Sequence, residues 1–388
     1  VAESVARGPW GTGLLLALCV GVLAPLPGAA EPDGRAALEP PEEEGMERLE
    51  HPLVTGRLTG RAARERLAAF GEAWVAARRD GTSTEAVFDA YLDDLGTARI
   101  AAWFEARQPA CHGELHNLGR VVAARVDDVV TAMSVCSDAC TYACIHGAVK
   151  GFYADQVAAG ETDVAGVRAD LVALCAARPV VADFYAGNCA HAAGHAFAIV
   201  ADSVAGAAAL CRGFPEPEDD YYCETGLFMQ VSDDVRRNLD RKAGPDREHR
   251  RAARMDYCAT ESRHVSACLR FVLADFRRPE DLAYLGAACE ALFGTGRLGC
   301  FNALGYLARP RVATHPEEIN TVCGRGTRRD RELCVSGVAF TKKDHMYAER
   351  LETACRALAD PELARLCAAQ RKVHYYQHGN PVLARMLN

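Results

Sequence analysis

The chain has 388 residues, 49% hydrophobic and 25% charged, which is enough for a sizeable core and is the balance of a folded protein rather than a disordered one. Its formal charge of -8, from 44 Lys plus Arg against 52 Asp plus Glu, offers no long-range attraction to nucleic acid or anionic lipid. A polyanion partner is therefore not expected.

Residues 1–30 read as a signal peptide. The run from Gly11 to Leu26 is apolar over the length of a signal h-region, and Pro-Gly-Ala-Ala at 27–30 supplies small residues for cleavage. A membrane anchor needs about 20 apolar residues, and this run meets Pro25 too soon, so no stable membrane insertion is expected after cleavage. Of the 17 cysteines, setting Cys19 aside with the signal leaves 16, an even number that in an exported chain reads as disulfides. No C-x-x-C occurs, which removes the thioredoxin-like and zinc-ribbon readings. The expected location is periplasmic or secreted.

Residues 31–55 are acidic and rich in Pro and Gly, the composition of a flexible linker. Helical patterning begins near Thr59 and resumes through V-F-D-A-Y-L-D-D-L and I-A-A-W-F-E-A-R. These helices lack cysteine, so 56–110 is expected to form an N-terminal helical cap. From residue 111 to 388 a cysteine-rich helical repeat domain is expected. After residue 160 its cysteines come in couples: 175 and 189, 211 and 223, 258 and 268, 289 and 300, 323 and 334, 355 and 367. The first of each couple follows a helical turn and the second opens another helix. Each unit therefore reads as helix, Cys, loop, Cys, helix, with a disulfide across the loop worth about 2–4 kcal/mol. The fold class is all-α, an irregular α/α repeat array, superhelical or solenoid-like, stapled by interhelical disulfides. Among Cys111, Cys136, Cys140 and Cys144, one of Cys136 and Cys140 is expected to join Cys144 and the other to reach Cys111. The basic stretch 236–254, between Cys223 and Cys258, reads as a solvated helix and loop.

The segment A-A-C289 followed by G-C300-F-N-A-L-G-Y306 resembles the cysteine-rich Sel1-like secreted repeat proteins. The resemblance covers residues 285–308 and is skeletal elsewhere. It implies an α/α superhelix of tetratricopeptide type that holds a protein or peptide partner on its concave face.

Histidine is unevenly placed. His112 and His116 follow Cys111, His146 follows Cys144, and His191 and His195 follow Cys189, whereas the segments behind Cys268, Cys300 and Cys334 carry none within eight residues. Two residues after Cys144, Cys189, Cys223, Cys268, Cys300 and Cys334 stand His146, His191, Thr225, Arg270, Asn302 and Ser336. Such a series suits positions facing one shared groove.

The pairs His112/His116 and His191/His195 are spaced i,i+4, so each places two rings on one helix face. Two such helices with His146 between them would bring imidazoles to about 2.0–2.1 Å from a zinc ion, and copper accepts the same ligands. The expected metal ligands are thus His112, His116, His146, His191 and His195, and the expected cofactor is zinc or copper. Glu114 and Glu224 are the candidate bases toward a metal-bound water, although C-H-G-E-L-H is not the H-E-x-x-H of zincins. The competing account is packing, with Gly147 and Gly194 allowing close helix approach. Y-Y-Q-H-G-N at 375–380 reads as a terminal cap or a surface loop. The leading expectation is an exported, disulfide-rich helical repeat protein with a histidine metal site, with or without catalysis. The alternatives are a non-enzymatic interaction scaffold and a metal-dependent hydrolase or oxidoreductase. No nucleophile elbow, phosphate loop or dinucleotide fingerprint points elsewhere.

Overall fold

The computed structural model describes residues 51–108, 111–160, 163–176, 186–339, 348–373 and 375–387. The regular elements among these residues are helical, and no strand occurs among them. The first helices are Pro52–Thr55 (α1), Gly60–Asp80 (α2), Thr84–Arg107 (α3), His112–Ala123 (α4), Val129–Ser134 (α5), Ala139–Ala159 (α6) and Val164–Ala176 (α7). They continue with Ala186–Val200 (α8), Val204–Cys211 (α9), Pro217–Ala243 (α10), Arg247–Glu261 (α11), Val265–Val272 (α12) and Pro279–Ala291 (α13). The last are Gly294–Val312 (α14), Ile319–Val322 (α15), Arg328–Ala339 (α16), Ala348–Arg356 (α17), Pro361–Gln370 (α18) and Pro381–Leu387 (α19). The expected signal segment lies outside the described residues, as does the expected linker up to residue 50. Pro52–Thr55 forms a helical turn packed on α3.

Local chemistry explains many helix ends. Side-chain oxygens of Asp128, Ser203, Asp246 and Asp360 accept from backbone N–H groups in the first turns of α5, α9, α11 and α18. Pro217, Pro279 and Pro361 open α10, α13 and α18, where a missing N–H costs nothing. Gly81 and Gly160 close α2 and α6 in the left-handed conformation.

Eight disulfides join Cys111–Cys140, Cys136–Cys144, Cys175–Cys189, Cys211–Cys223, Cys258–Cys268, Cys289–Cys300, Cys323–Cys334 and Cys355–Cys367. All six expected couples are present, and the open question is resolved with Cys136 on Cys144 and Cys140 on Cys111. In each of the six couples the first cysteine lies at a helix end and the second in the following helix. The second helices then pack in succession: α6 on α4, α8 on α6, α10 on α8, α12 on α10, α14 on α12, α16 on α14 and α18 on α16.

Three of these contacts are built alike, around two glycines facing each other's helix. An added Cβ on Gly147 would stand 2.0 Å from the His116 carbonyl oxygen, and one on Gly119 would stand 2.0 Å from that of Cys144. Gly226 and Gly194 repeat this against the carbonyls of His191 at 1.9 Å and Cys223 at 2.0 Å. Gly337 and Gly305 do so against Asn302 at 2.0 Å and Cys334 at 1.8 Å. No side chain fits at such distances, so the α4/α6, α8/α10 and α14/α16 pairs cross backbone to backbone. This is the close approach anticipated for Gly147 and Gly194.

The cysteine-free helices α2 and α3 carry their own aromatic core. Phe70, Trp74, Phe88, Trp103 and Phe104 meet with ring centroids 5.0–6.0 Å apart, and α3 packs on α4 and α6. The basic stretch 236–254 differs from expectation. Arg251 and Arg254 are buried, Arg254 against Asp240 at 2.7 Å and Arg251 against Asp281 at 3.0 Å. Asp240 within the stretch and Asp281 on α13 supply the partners that make this burial tolerable.

Candidate metal centre

The position two residues after the cysteine is buried in all six cases. His146, His191, Thr225, Arg270, Asn302 and Ser336 are each no more than 2% exposed. Successive helices thus turn the same position toward a common interior, and its chemistry changes from one end to the other.

At the carboxyl end, protein atoms satisfy this polar line. Asn302 Oδ1 accepts from Ser266 Oγ at 2.8 Å and from the Arg270 guanidinium at 2.6 Å, while its Nδ2 donates to the Leu333 carbonyl at 3.3 Å. At the amino end the line becomes imidazole. The ligating nitrogens gather in two triads, His112/His116/His146 and His146/His191/His195, each with one nitrogen per ring within 4.8 Å of the other two. The His146 ring belongs to both and stands 4.6–5.8 Å, centroid to centroid, from the other four. Helices α4, α6 and α8 deliver all five rings. The glycine crossings set the depth, and they place His116 and His191 at equivalent positions, each three residues before the notch glycine of its own helix.

The hydrogen bonds orient these rings. Thr225 Oγ1 gives its hydrogen to the Tyr222 carbonyl at 2.6 Å and so receives one from His191 Nδ1 at 2.7 Å. His112 Nδ1 donates to the Cys140 carbonyl at 2.8 Å. Both rings therefore turn an unprotonated Nε2 inward, the arrangement in which an outer acceptor fixes the tautomer of a metal-ligating histidine. Inside, Nε2 of His112 lies 3.1 Å from Nε2 of His116, and Nε2 of His191 lies 3.3 Å from Nε2 of His195. Both separations suit a hydrogen bond in which His116 and His195 donate to the unprotonated nitrogens of His112 and His191, and the 3.3 Å of the second pair also matches the about 3.3–3.4 Å between two nitrogens on one tetrahedral ion.

The ring of His146 is fully buried, and neither of its nitrogens has a hydrogen-bond partner among the described residues. Leaving one such group unsatisfied costs about 1–3 kcal/mol. An ion among the imidazoles would supply what the protein does not. The Cys140 carbonyl that holds His112 sits in an uncommon backbone: Cys140, Thr141 and Tyr142 take φ of 51°, 63° and 62°, left-handed values that cost a non-glycine residue about 1–2 kcal/mol each. The Cys111–Cys140 bridge and the bond from Cys140 N to Glu105 at 2.9 Å hold this turn in place.

Electrostatics keep the lone pairs available. Burial pushes the pKa of His116, His146, His191 and His195 well below the ordinary 6.5, and neighbouring positive charge adds to this, including Lys150 for His116 and His195. His112 is lowered by burial as well, against the opposing effect of its bond to Cys140. His112 and His116 are partly exposed, yet enough protein surrounds their rings for burial to dominate. At neutral pH all five imidazoles are uncharged and able to ligate.

The two candidate bases stand apart from this cluster. Glu114 pairs with Arg78 at 3.1 Å. Glu224 is buried, and its Oε2 accepts from Ser262 Oγ at 3.0 Å and from His264 N at 3.2 Å. Neither belongs to either triad. Helical rotation accounts for Glu224: Thr225 faces α8, and the preceding residue turns toward the loop between α11 and α12. One further ligand-type group, His315, Glu317 and Glu318, is surface-lying, with Glu318 held by Arg311 at 2.6 Å.

Sequence reasoning missed the outer wall. Tyr376 is buried against the cluster, its ring 5.4 Å from His191 and 6.4 Å from His146. Tyr222 and Tyr375 pack on it at 5.3 Å and 4.6 Å. The segment bearing Tyr375 and Tyr376 is moored to α10 by His378 on Asp219 at 2.7 Å, by Gly379 N on Glu218 at 3.0 Å, and by the Tyr222 hydroxyl on the Tyr375 carbonyl. Y-Y-Q-H-G-N thus divides, with Tyr376 buried against the cluster while Gln377 and Gly379 are exposed. The paired tyrosines were the available signal, since adjacent aromatic rings seldom both face water. Comparison with family models, with curated proteins and with solved structures returns no match to this chain.

Proposed function

We propose that this protein is an exported, disulfide-stapled metal-binding protein whose histidine cluster holds zinc or copper through His112, His116, His146, His191 and His195. One observation carries the reading: His146 is fully buried among four imidazoles with both nitrogens unpartnered. The packing account predicts the opposite, a histidine whose N–H finds a carbonyl, as the polar groups of Asn302 do in the equivalent place. An all-imidazole donor set suits zinc and copper better than calcium or magnesium. Glu114 and Glu224 are left to their own partners, so the reading is one of binding and assigns no base.

Eight disulfides suit an oxidising compartment, which supports a periplasmic or secreted location. No described helix is long and apolar enough to cross a membrane. The succession of helix pairs with repeated glycine crossings supports an α/α repeat array of the Sel1-like kind. The deciding experiment is metal analysis of the purified oxidised protein after exposure to zinc or copper and dialysis. Replacing His191 and His195 with Ala should lower the retained metal by at least half. Unchanged metal content in that variant would sink the reading.

A further inference from the structure

Resting on that reading, we infer that the cluster takes two transition-metal ions, one per triad, with the ring of His146 bridging them as an imidazolate. The ligating nitrogens fall into two groups of three that share only His146. Each group contains one i,i+4 pair at an Nε2 to Nε2 distance of 3.1 or 3.3 Å. Each pair also contains one ring fixed from outside, His112 by the Cys140 carbonyl and His191 by Thr225. The cluster is thus two similar half-sites that share one ring and also meet directly, the His116 and His195 rings standing 4.9 Å apart.

His146 differs from both anchored rings. A histidine that binds one ion through one nitrogen keeps a proton on the other, and that proton requires an acceptor when buried. His112 and His191 have theirs, while His195 lacks a partner only at Nδ1 among the described residues. His146 is fully buried and has none for either nitrogen among the described residues. A single ion on His146 would leave an orphaned N–H in the core, whereas two ions use both nitrogens. As the second ion binds, its bond to nitrogen replaces the N–H bond and the proton passes to solvent. No oxidation state changes. The negative charge gained by the ring offsets part of the charge of the two cations, which no carboxylate in either triad does. Three nitrogens per ion leave a fourth position for water or an anion.

The test uses the full oxidised chain, loaded separately with Zn(II) and with Cu(II) and then dialysed. The expected zinc content is two ions per chain. The expected Cu(II) protein holds two coppers whose spins couple through the bridge, so its paramagnetic resonance signal accounts for only a small fraction of the copper present. His112→Ala/His116→Ala and His191→Ala/His195→Ala should each retain one ion and give a full-intensity Cu(II) signal. His146→Ala should abolish the coupling, with retained helicity and eight intact disulfides showing that it folds. One ion per wild-type chain, or two with full signal intensity, would overturn the bridge while leaving the metal centre standing. No retained ion would overturn the metal centre itself.

Discussion

Replacing Glu224 with Gln tests the interior most directly, because it separates burial from metal chemistry. Glu224 is 2% exposed, and burial lifts its pKa from the ordinary 4.5 to about 7, against the opposing bonds from Ser262 and His264 N. Since the folded-state value lies above the unfolded one, the carboxyl contributes stability that is fully present below pH 4.5 and lost as pH rises through about 7. A shift from 4.5 to about 7 at 1.36 kcal/mol per unit amounts to a loss of about 3 kcal/mol by pH 8. Glutamine keeps a carbonyl oxygen for Ser262 and His264 N and never ionises. E224Q should therefore match the wild type near pH 4.5 and exceed it by up to about 3 kcal/mol at pH 8. The assay is urea unfolding with the disulfides intact, comparing midpoints at both pH values. A variant no more stable than wild type at pH 8 would refute the burial argument. Metal content should be unchanged in E224Q, and its loss would refute the placement of Glu224 outside the cluster.

Thr225→Val removes the acceptor for His191 Nδ1 while keeping the shape of the side chain, and a zinc competition titration should show affinity weakened by about 10–100-fold. Gly226→Ala and Gly337→Ala both force a Cβ to within 2.0 Å of a carbonyl oxygen, so each should destabilise by about 3 kcal/mol or more in urea unfolding. G226A should also lose metal, whereas G337A, at the crossing without histidines, should keep it. His378 gains its raised pKa from Asp219, so the tie to α10 is fully present below pH 6.5 and is lost as pH climbs through the raised value. The pair is partly exposed and worth about 1 kcal/mol or less. The difference in urea midpoint between wild type and His378→Gln should accordingly shrink from pH 6 to pH 9, and a constant difference would refute the ion pair. Replacing both Cys111 and Cys140 with Ser should release the left-handed turn that holds His112 and weaken zinc binding, as read by the same titration.

Much of this was legible in the residues. The cysteine couples are separated by only 10–14 residues, and a disulfide over so short a span leaves few ways for two helix ends to meet. The i,i+4 histidines share a helix face because of the pitch of the helix alone. The line of buried polar residues two positions after Cys144, Cys189, Cys223, Cys268, Cys300 and Cys334 follows from the same local geometry repeated six times.

Other features belong to the packing of distant segments. That Thr225, and not Glu224, serves the cluster depends on how α10 is rotated against α8, which the crossing of Gly194 and Gly226 sets. Tyr376 reaches His191 across 185 positions of sequence, held by bonds from α10 that no local pattern announces. The burial of Arg251 is likewise decided by Asp281 on α13. Sequence alone determined which residues share a helix face and which cysteines lie within reach, because covalent spacing and helical pitch are short-range constraints. Only the tertiary structure decided that five imidazoles meet and that His146 is shared by both pairs, because that outcome depends on the contacts that stack α4, α6, α8 and α10.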